Sequence, residues 1–200
     1  MRPVVCLITD RRRLASPAEQ GVVAQVAAAA RSGVHLVQVR ERDLDARALL
    51  QLVRACVAAV AATSTRVIVN ERLDVAIAAG AHGVHLRGDS MPASRARTMA
   101  PTSFLIGRSV HDAEEARRVT EEGGLDYLVF GPVFETSSKP GVEAAGPETL
   151  RTVVSRTSLP VLAVGGVTNE RVGSITDAGA AGFAAISLFA GNENGSRQFF

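Results

Sequence analysis

The chain has no tryptophan, and aromatic residues fill only 4% of its 200 positions. Platforms on which nucleobases stack are therefore scarce. Cysteine is nearly missing too, with Cys6 and Cys56 as the pair. A disulfide framework or a thiolate metal site needs more cysteines at tighter spacing, so both thiols are expected to be buried and structural. Neither sign of charge dominates: 22 basic residues stand against 20 acidic ones, for a formal charge of +2. That balance removes the electrostatic case for nucleic acid, and the cluster Arg11-Arg12-Arg13 reads as a solvated loop. No apolar run approaches the roughly 20 residues of a membrane-spanning helix. The first residues lack the signal-peptide order of basic end, apolar stretch and small-residue cleavage site. What these absences leave is a cytoplasmic enzyme with no nucleic-acid and no membrane partner.

What is present is a repeat. Hydrophobic residues make up 46% of the chain, enough for a sizeable core. Short, nearly continuous apolar runs fall at 4–8, 34–39, 66–69, 83–86, 104–106, 127–130, 161–164 and 183–186. Runs without polar alternation are the mark of parallel strands buried on both faces. Between them lie segments with helical spacing at 17–31, 45–62, 112–122, 147–156 and 169–178. Ser16 is a candidate N-cap for the first, and Pro147 stands near the first helical position of the fourth. Eight strands alternating with helices, and no large insertion, predict a single α/β domain over residues 1–200. The expected fold is a (β/α)8 TIM barrel with parallel strands and short loops, since such barrels typically need about 250 residues. The short segment after the last run points to a homodimer.

In a βα barrel, chemistry sits where strands run into loops. After the second run, alternation puts Gln38, Arg40 and Arg42 on one side and Glu41 and Asp43 on the other. An inward Gln/Arg/Arg ladder suits phosphate oxygens, because guanidinium groups bind them bidentately. Asn70 and Glu71 follow the third run, and Asp89 the fourth. Glu71 and Asp89 are candidate ligands for Mg2+, which takes one or two carboxylates together with substrate phosphate oxygens. Ser109 follows the fifth run, either as a substrate donor or as a helix cap. Thr136, Ser137, Ser138 and Lys139 lie together in a loop bounded by Gly and Pro, a local set of donors for a diphosphate. Gly165 and Gly166 follow the seventh run, where a bare backbone admits a phosphate, and Ser187 follows the eighth. Among the histidines, His35 and His85 read as core or barrel residues, His82 as surface, and His111 as the candidate proton carrier.

Taken in order, Leu7-Ile8-Thr9-Asp10, Gln38-Val39-Arg40-Glu41, Val69-Asn70-Glu71-Arg72-Leu73-Asp74, Gly83-Val84-His85-Leu86, Ile106-Gly107-Arg108-Ser109-Val110-His111, Gly131-Pro132-Val133-Phe134 and Thr136 to Lys139 resemble the thiamine phosphate synthase and TenI (thiazole tautomerase) family. The resemblance implies a transferase of thiamine biosynthesis. It couples hydroxymethylpyrimidine diphosphate to thiazole phosphate and releases pyrophosphate with Mg2+ as cofactor. It also implies roles. Gln38, Arg40 and Asn70 bind the pyrimidine diphosphate, with Arg42 of the ladder beside them, and Ser109, Thr136, Ser138 and Lys139 line the diphosphate and thiazole sites. Ser109 and Lys139 act in catalysis, and Gly166, Ile186 and Ser187 hold the thiazole phosphate. Four positions depart from the family pattern. Arg42 stands where the synthases have Lys, Glu71 where they have Asp, and Ser90 where they have a second metal-binding Asp. Pro132 stands where one tautomerase subgroup has its acid/base histidine. A metal-independent thiazole tautomerase and a non-catalytic binder of thiazole or thiamine phosphates are the alternatives.

Overall fold

A computed structural model describes residues 2–14, 19–138 and 141–189. Its strands are β1 (Val4–Ile8), β2 (Leu36–Val39), β3 (Arg66–Asn70), β4 (Gly83–Leu86), β5 (Leu105–Val110), β6 (Tyr127–Phe130), β7 (Val161–Val164) and β8 (Gly182–Ala185). They close a barrel in chain order, as the repeat predicts. The helices between them are α1 (Glu19–Arg31), α2 (Ala46–Val60), α3 (Leu73–Ala78), α4 (Ala93–Met99), α5 (Ala113–Glu122), α6 (Gly146–Ser155) and α7 (Val172–Asp177). Three 3-10 turns, Arg11–Arg13, Asn169–Arg171 and Ser187–Phe189, complete the described elements. The chain divides into two compact units, Val5–Val84 with Ile186–Phe200 and Met1–Val4 with His85–Ala185.

In the Val5–Val84 unit, β1 pairs in parallel with β2 (Cys6 opposite Leu36) and β2 with β3 (Gln38 opposite Ile68). Every residue of β2 is buried, which explains why its run is apolar but for Gln38. Helix α2 buries Leu49, Leu52, Val53, Cys56 and Val60, a set spaced as one face of a 3.6-residue helix. Its start is fixed by the Asp45 carboxylate, which accepts the Ala48 N–H at 2.8 Å. Both cysteines are buried and free, and burial pushes each thiol up to about 12.

In the His85–Ala185 unit, β5 pairs with β6, β6 with β7 and β7 with β8, all in parallel. Helix α5 is capped by Asp112, which accepts the Glu115 N–H at 2.7 Å, so Ser109 is not its cap. The Glu115 carboxylate reaches back to the His111 N–H at 2.8 Å, in the manner of a capping box. The amide of Val4 donates to the Ala181 carbonyl at 2.9 Å, and a side chain at Gly182 would collide with the Val4 carbonyl.

Several expectations are corrected. Strand β5 runs on through Gly107-Arg108-Ser109-Val110, which were expected to be loop; neighbouring strands supply its ladder despite the polar residues. Helices α3 and α4 were not anticipated, because six and seven residues carry too little periodicity to register. The segment expected as one helix at 169–178 is a 3-10 turn followed by α7. His35 is exposed rather than core, and its Nδ1 accepts the Val5 N–H at 3.1 Å. His82 is half-buried, with Nδ1 accepting the Val67 N–H at 3.0 Å. Arg11-Arg12-Arg13 is a 3-10 turn held by ion pairs to Glu41, Asp43 and Asp10 rather than a solvated loop. Ser16 lies outside the described residues.

Candidate functional site

In the Val5–Val84 unit, polar groups gather at the C-terminal ends of the strands. Gln38 is buried on β2, and its amide donates to Asn70 Oδ1 at 3.0 Å. Asn70 ends β3, two residues beyond the Ile68 that pairs with Gln38, so one amide braces the other across neighbouring strands. Arg40 lies just past β2 and is half-buried. Its backbone N–H donates to Thr9 Oγ1 at 3.0 Å, and that hydroxyl donates to Glu41 at 2.7 Å. Glu41 is buried and also accepts the Arg11 N–H at 3.2 Å. Thr9, Glu41 and Arg11 thus anchor the backbone that carries Arg40. Burial, and secondarily the neighbouring Arg42, pull the Arg40 guanidinium below its ordinary value. A half-buried cation next to a like charge favours an incoming anion.

The Gln/Arg/Arg ladder does not continue as a strand. Strand β2 stops at Val39, and the Leu44 N–H returns to the Glu41 carbonyl in a turn that leaves Arg42 exposed. Asp43 pairs with Arg11 at 2.7 Å, and that hydrogen bond holds its carboxyl well below the usual range. Glu71 follows β3 in the left-handed region, with φ of 69°. A non-glycine residue there costs on the order of 1 kcal/mol, a strain that often marks functional positions. Ile186 is half-buried and Ser187 exposed, at the start of the 3-10 turn Ser187–Phe189.

In the His85–Ala185 unit, the end of β4 is organised from β5. Arg108 is buried, and its guanidinium donates to the carbonyls of Gly88 at 3.4 Å, Ser90 at 3.2 Å and Met91. Sequence reasoning passed over this clamp because Arg108 was read as loop. Asp89 is presented on the clamped segment, exposed and paired with Arg87 at 2.7 Å. Ser90 receives the Arg87 N–H on its hydroxyl at 2.8 Å. Among the described residues there is no group of three or more His, Cys, Asp and Glu side chains able to hold a metal.

Ser109 is half-buried on β5, and His85 Nε2 lies 2.9 Å from its hydroxyl. His85 Nδ1 lies 3.3 Å from the Tyr127 hydroxyl on β6. His85 is buried as expected of a core histidine, but it also contacts a candidate site residue, which sequence reasoning missed. Burial, and secondarily Arg108, push the imidazole down to about 4, so it is neutral near pH 7. Gly107 lies opposite Tyr127 in the strand register, and a side chain there would occupy the space of the phenol ring. His111 is exposed, with Nδ1 3.2 Å from Glu115 Oε2.

The segment after β6 includes Thr136, whose hydroxyl accepts the Ser138 N–H at 3.3 Å. Glu135, Thr136, Ser137, Gly141, Val142 and Glu143 line an open cleft of about 550 Å³. Lys139 lies outside the described residues. Gly165 and Gly166 also meet a packing need that the sequence did not show. A Cβ at Gly165 would meet Pro132 at 2.6 Å, and one at Gly166 would meet the Glu135 carbonyl, so these glycines admit the 132–135 segment on their Cβ side. Gly166 also has φ of 60°, which glycine adopts without strain. Arg171 donates to the Gly166 carbonyl at 2.7 Å, with its guanidinium 4.7 Å from the Phe134 ring centre.

A closed parallel barrel with amide, guanidinium and hydroxyl donors at its strand ends is built as an enzyme of the (β/α)8 class. The family described as thiamine monophosphate synthase matches residues 5–189. The chain belongs to that family, whose members named thiamine-phosphate synthase are transferases of thiamine biosynthesis. It is 40% identical to the thiamine-phosphate synthase of Methanospirillum hungatei over 156 residues, 78% of this chain and 75% of that one. It is 37% identical to the thiamine-phosphate synthase of Roseiflexus castenholzii over 194 residues, 95% of this chain and 82% of that one. The solved thiamine phosphate pyrophosphorylase from Pyrococcus furiosus superposes with a TM-score of 0.84 at 29% identity, covering 98% of this chain and 92% of that one.

Proposed function

We propose that the protein joins hydroxymethylpyrimidine diphosphate to thiazole phosphate, forming thiamine phosphate and pyrophosphate. The family match over 5–189 carries this reading, and the donor sets at the strand ends support it. The C–O bond between the pyrimidine methylene and the diphosphate breaks, and pyrophosphate leaves with the bonding electrons. The thiazole nitrogen then forms the new C–N bond to that methylene carbon. Negative charge grows on the leaving group as the bond stretches, so donors aimed there act most strongly in the transition state. In this reading Gln38, Arg40, Arg42 and Asn70 receive the pyrimidine diphosphate. Ser109, Thr136, Ser138 and Lys139 take the departing diphosphate, and Gly166, Ile186 and Ser187 hold the thiazole phosphate.

Glu71 and Asp89 are the proposed Mg2+ ligands. The donor chemistry fits, because Mg2+ takes one or two carboxylates and fills its remaining positions with water and phosphate oxygens. Asp89 gives up only an exposed pair with Arg87 to do so. When bound, the ion neutralises charge developing on the leaving diphosphate.

The tautomerase alternative lacks support at position 132, where a buried proline has no proton to move. No helix among the described residues is long and apolar enough to cross a membrane. A cytoplasmic homodimer is part of the same proposal, and gel filtration with light scattering tests the dimer. The decisive experiment incubates purified protein with both substrates and Mg2+. Thiamine phosphate and pyrophosphate are expected in equal amounts, and absence of both at saturating substrate refutes the reading.

A further inference from the structure

Three strands of one unit meet at a buried chain of hydrogen-bonding groups: Tyr127 on β6, His85 on β4 and Ser109 on β5. His85 is 3% exposed and Tyr127 7% exposed, so both are sealed from solvent. Their rings lie 5.7 Å apart in a tilted arrangement. The glycine at 107 makes room for the phenol. Val84 and Leu86, on either side of His85, are fully packed apolar residues. An aliphatic side chain would have met the packing need at 85 without burying two ring nitrogens, each of which requires a partner.

We propose that His85 is a positioning residue that aims the Ser109 hydroxyl at the diphosphate of the substrate. The proposal rests on the synthase reading, in which Ser109 touches that diphosphate. Its logic is the count of protons. In the proposed arrangement Nδ1 is bare and accepts the Tyr127 O–H across their 3.3 Å separation. A neutral ring then carries its proton on Nε2. That N–H donates to Ser109 Oγ and occupies a lone pair, leaving the serine O–H to donate onward. All three donors point the same way, toward an anion, and each polarises the next. With the opposite tautomer, the serine proton would be spent on Nε2 and Ser109 could offer an anion nothing. Burial, and secondarily the guanidinium of Arg108 on the same strand as Ser109, disfavours a second proton on the ring and so keeps the relay neutral.

The test has a readout that needs no turnover. In 15N-labelled protein, with His85 assigned by loss of its signals in His85→Gln, the ring is expected to show a protonated Nε2 and a bare Nδ1. A bare Nε2 overturns the proposal. Kinetics form the second arm. His85→Leu is expected to lower kcat on the order of tenfold or more, with KM for the pyrimidine diphosphate changed by less than about threefold. His85→Gln offers an amide N–H near the Nε2 position and is expected to recover most of that loss. Adding His85→Leu to Ser109→Ala should cost nothing further, because His85 acts only through the serine. Losses that multiply, or a folded His85→Gln protein as impaired as His85→Leu, overturn the proposal. If His85→Leu fails to fold, Tyr127→Phe replaces it, and an unchanged tautomer with unchanged kcat counts against the relay. A wild-type protein that makes no thiamine phosphate refutes the synthase reading instead, and the tautomer measurement still decides the role of His85.

Discussion

Replacing Glu41 by Gln tests whether the Thr9–Glu41–Arg11 network holds the end of β2. The Glu41 side chain is 2% exposed, and it accepts Thr9 Oγ1 at 2.7 Å, the Arg11 N–H at 3.2 Å and the Arg11 guanidinium at 3.4 Å. Glutamine keeps one acceptor oxygen and presents an N–H donor where the second stood. Either Thr9 or Arg11 then faces another donor. A hydrogen bond to a charged group contributes about 1.5–3 kcal/mol, and leaving a buried donor unsatisfied costs a similar amount. The expected loss is about 3 kcal/mol. In a domain of this size each kcal/mol moves Tm by roughly 2–4 °C, so a fall of about 6–12 °C should appear in calorimetry. Because the Arg40 N–H hangs from Thr9, pyrophosphate binding measured by titration calorimetry should weaken as well. A urea midpoint that implies a change below about 0.5 kcal/mol, the scale of an ordinary surface substitution, would refute this account of the network.

Three further outcomes are expected. His85, held near 4 against an ordinary 6.5, contributes stability above pH 6.5 that is lost as pH falls toward 4. The loss is at most about 3 kcal/mol, and His85→Gln should flatten the stability–pH curve in that window; parallel curves for variant and wild type would disprove it. Glu71→Gly relieves the left-handed backbone, so urea unfolding should show a gain of up to about 1 kcal/mol while Mg2+-dependent turnover falls. A variant both less stable and fully active would contradict both halves of that statement. Lys139→Ala should weaken pyrophosphate binding at least severalfold with no matching fall in Tm, and unchanged affinity in titration calorimetry would remove Lys139 from the diphosphate site.

The barrel was legible because parallel strands buried on both faces write long apolar runs, as β1, β6 and β7 do within a residue of where they were expected. Strand β5 was read short because Gly107, Arg108 and Ser109 each interrupt the apolar run for a reason outside the strand. They make room for Tyr127, clamp the 88–91 carbonyls and meet His85. Glu41 was placed opposite Arg40 by alternation, but its burial depends on Thr9 and Arg11, some thirty positions away, which no local pattern reports. The Gly165-Gly166 pair was noticed as bare backbone open to a phosphate, while its packing against Pro132 and Glu135 was not foreseen. The pairing of His85 with Ser109 was open to sequence reasoning in one respect. His85 stands inside an expected apolar run, where a polar residue calls for a partner, whereas Ser109 was read in the loop after the fifth run.

The link from Val4 to Ala181 and Gly182 has a consequence for how the protein is made. Val4 leaves the ribosome long before its hydrogen-bonding partner Ala181, which immediately precedes β8. Until then the nascent chain carries an open β edge, the kind of surface that recruits neighbouring chains. Slow translation beyond β7 would prolong that exposure, so crowding and chaperone supply during synthesis should govern yield more than the finished protein's melting temperature does.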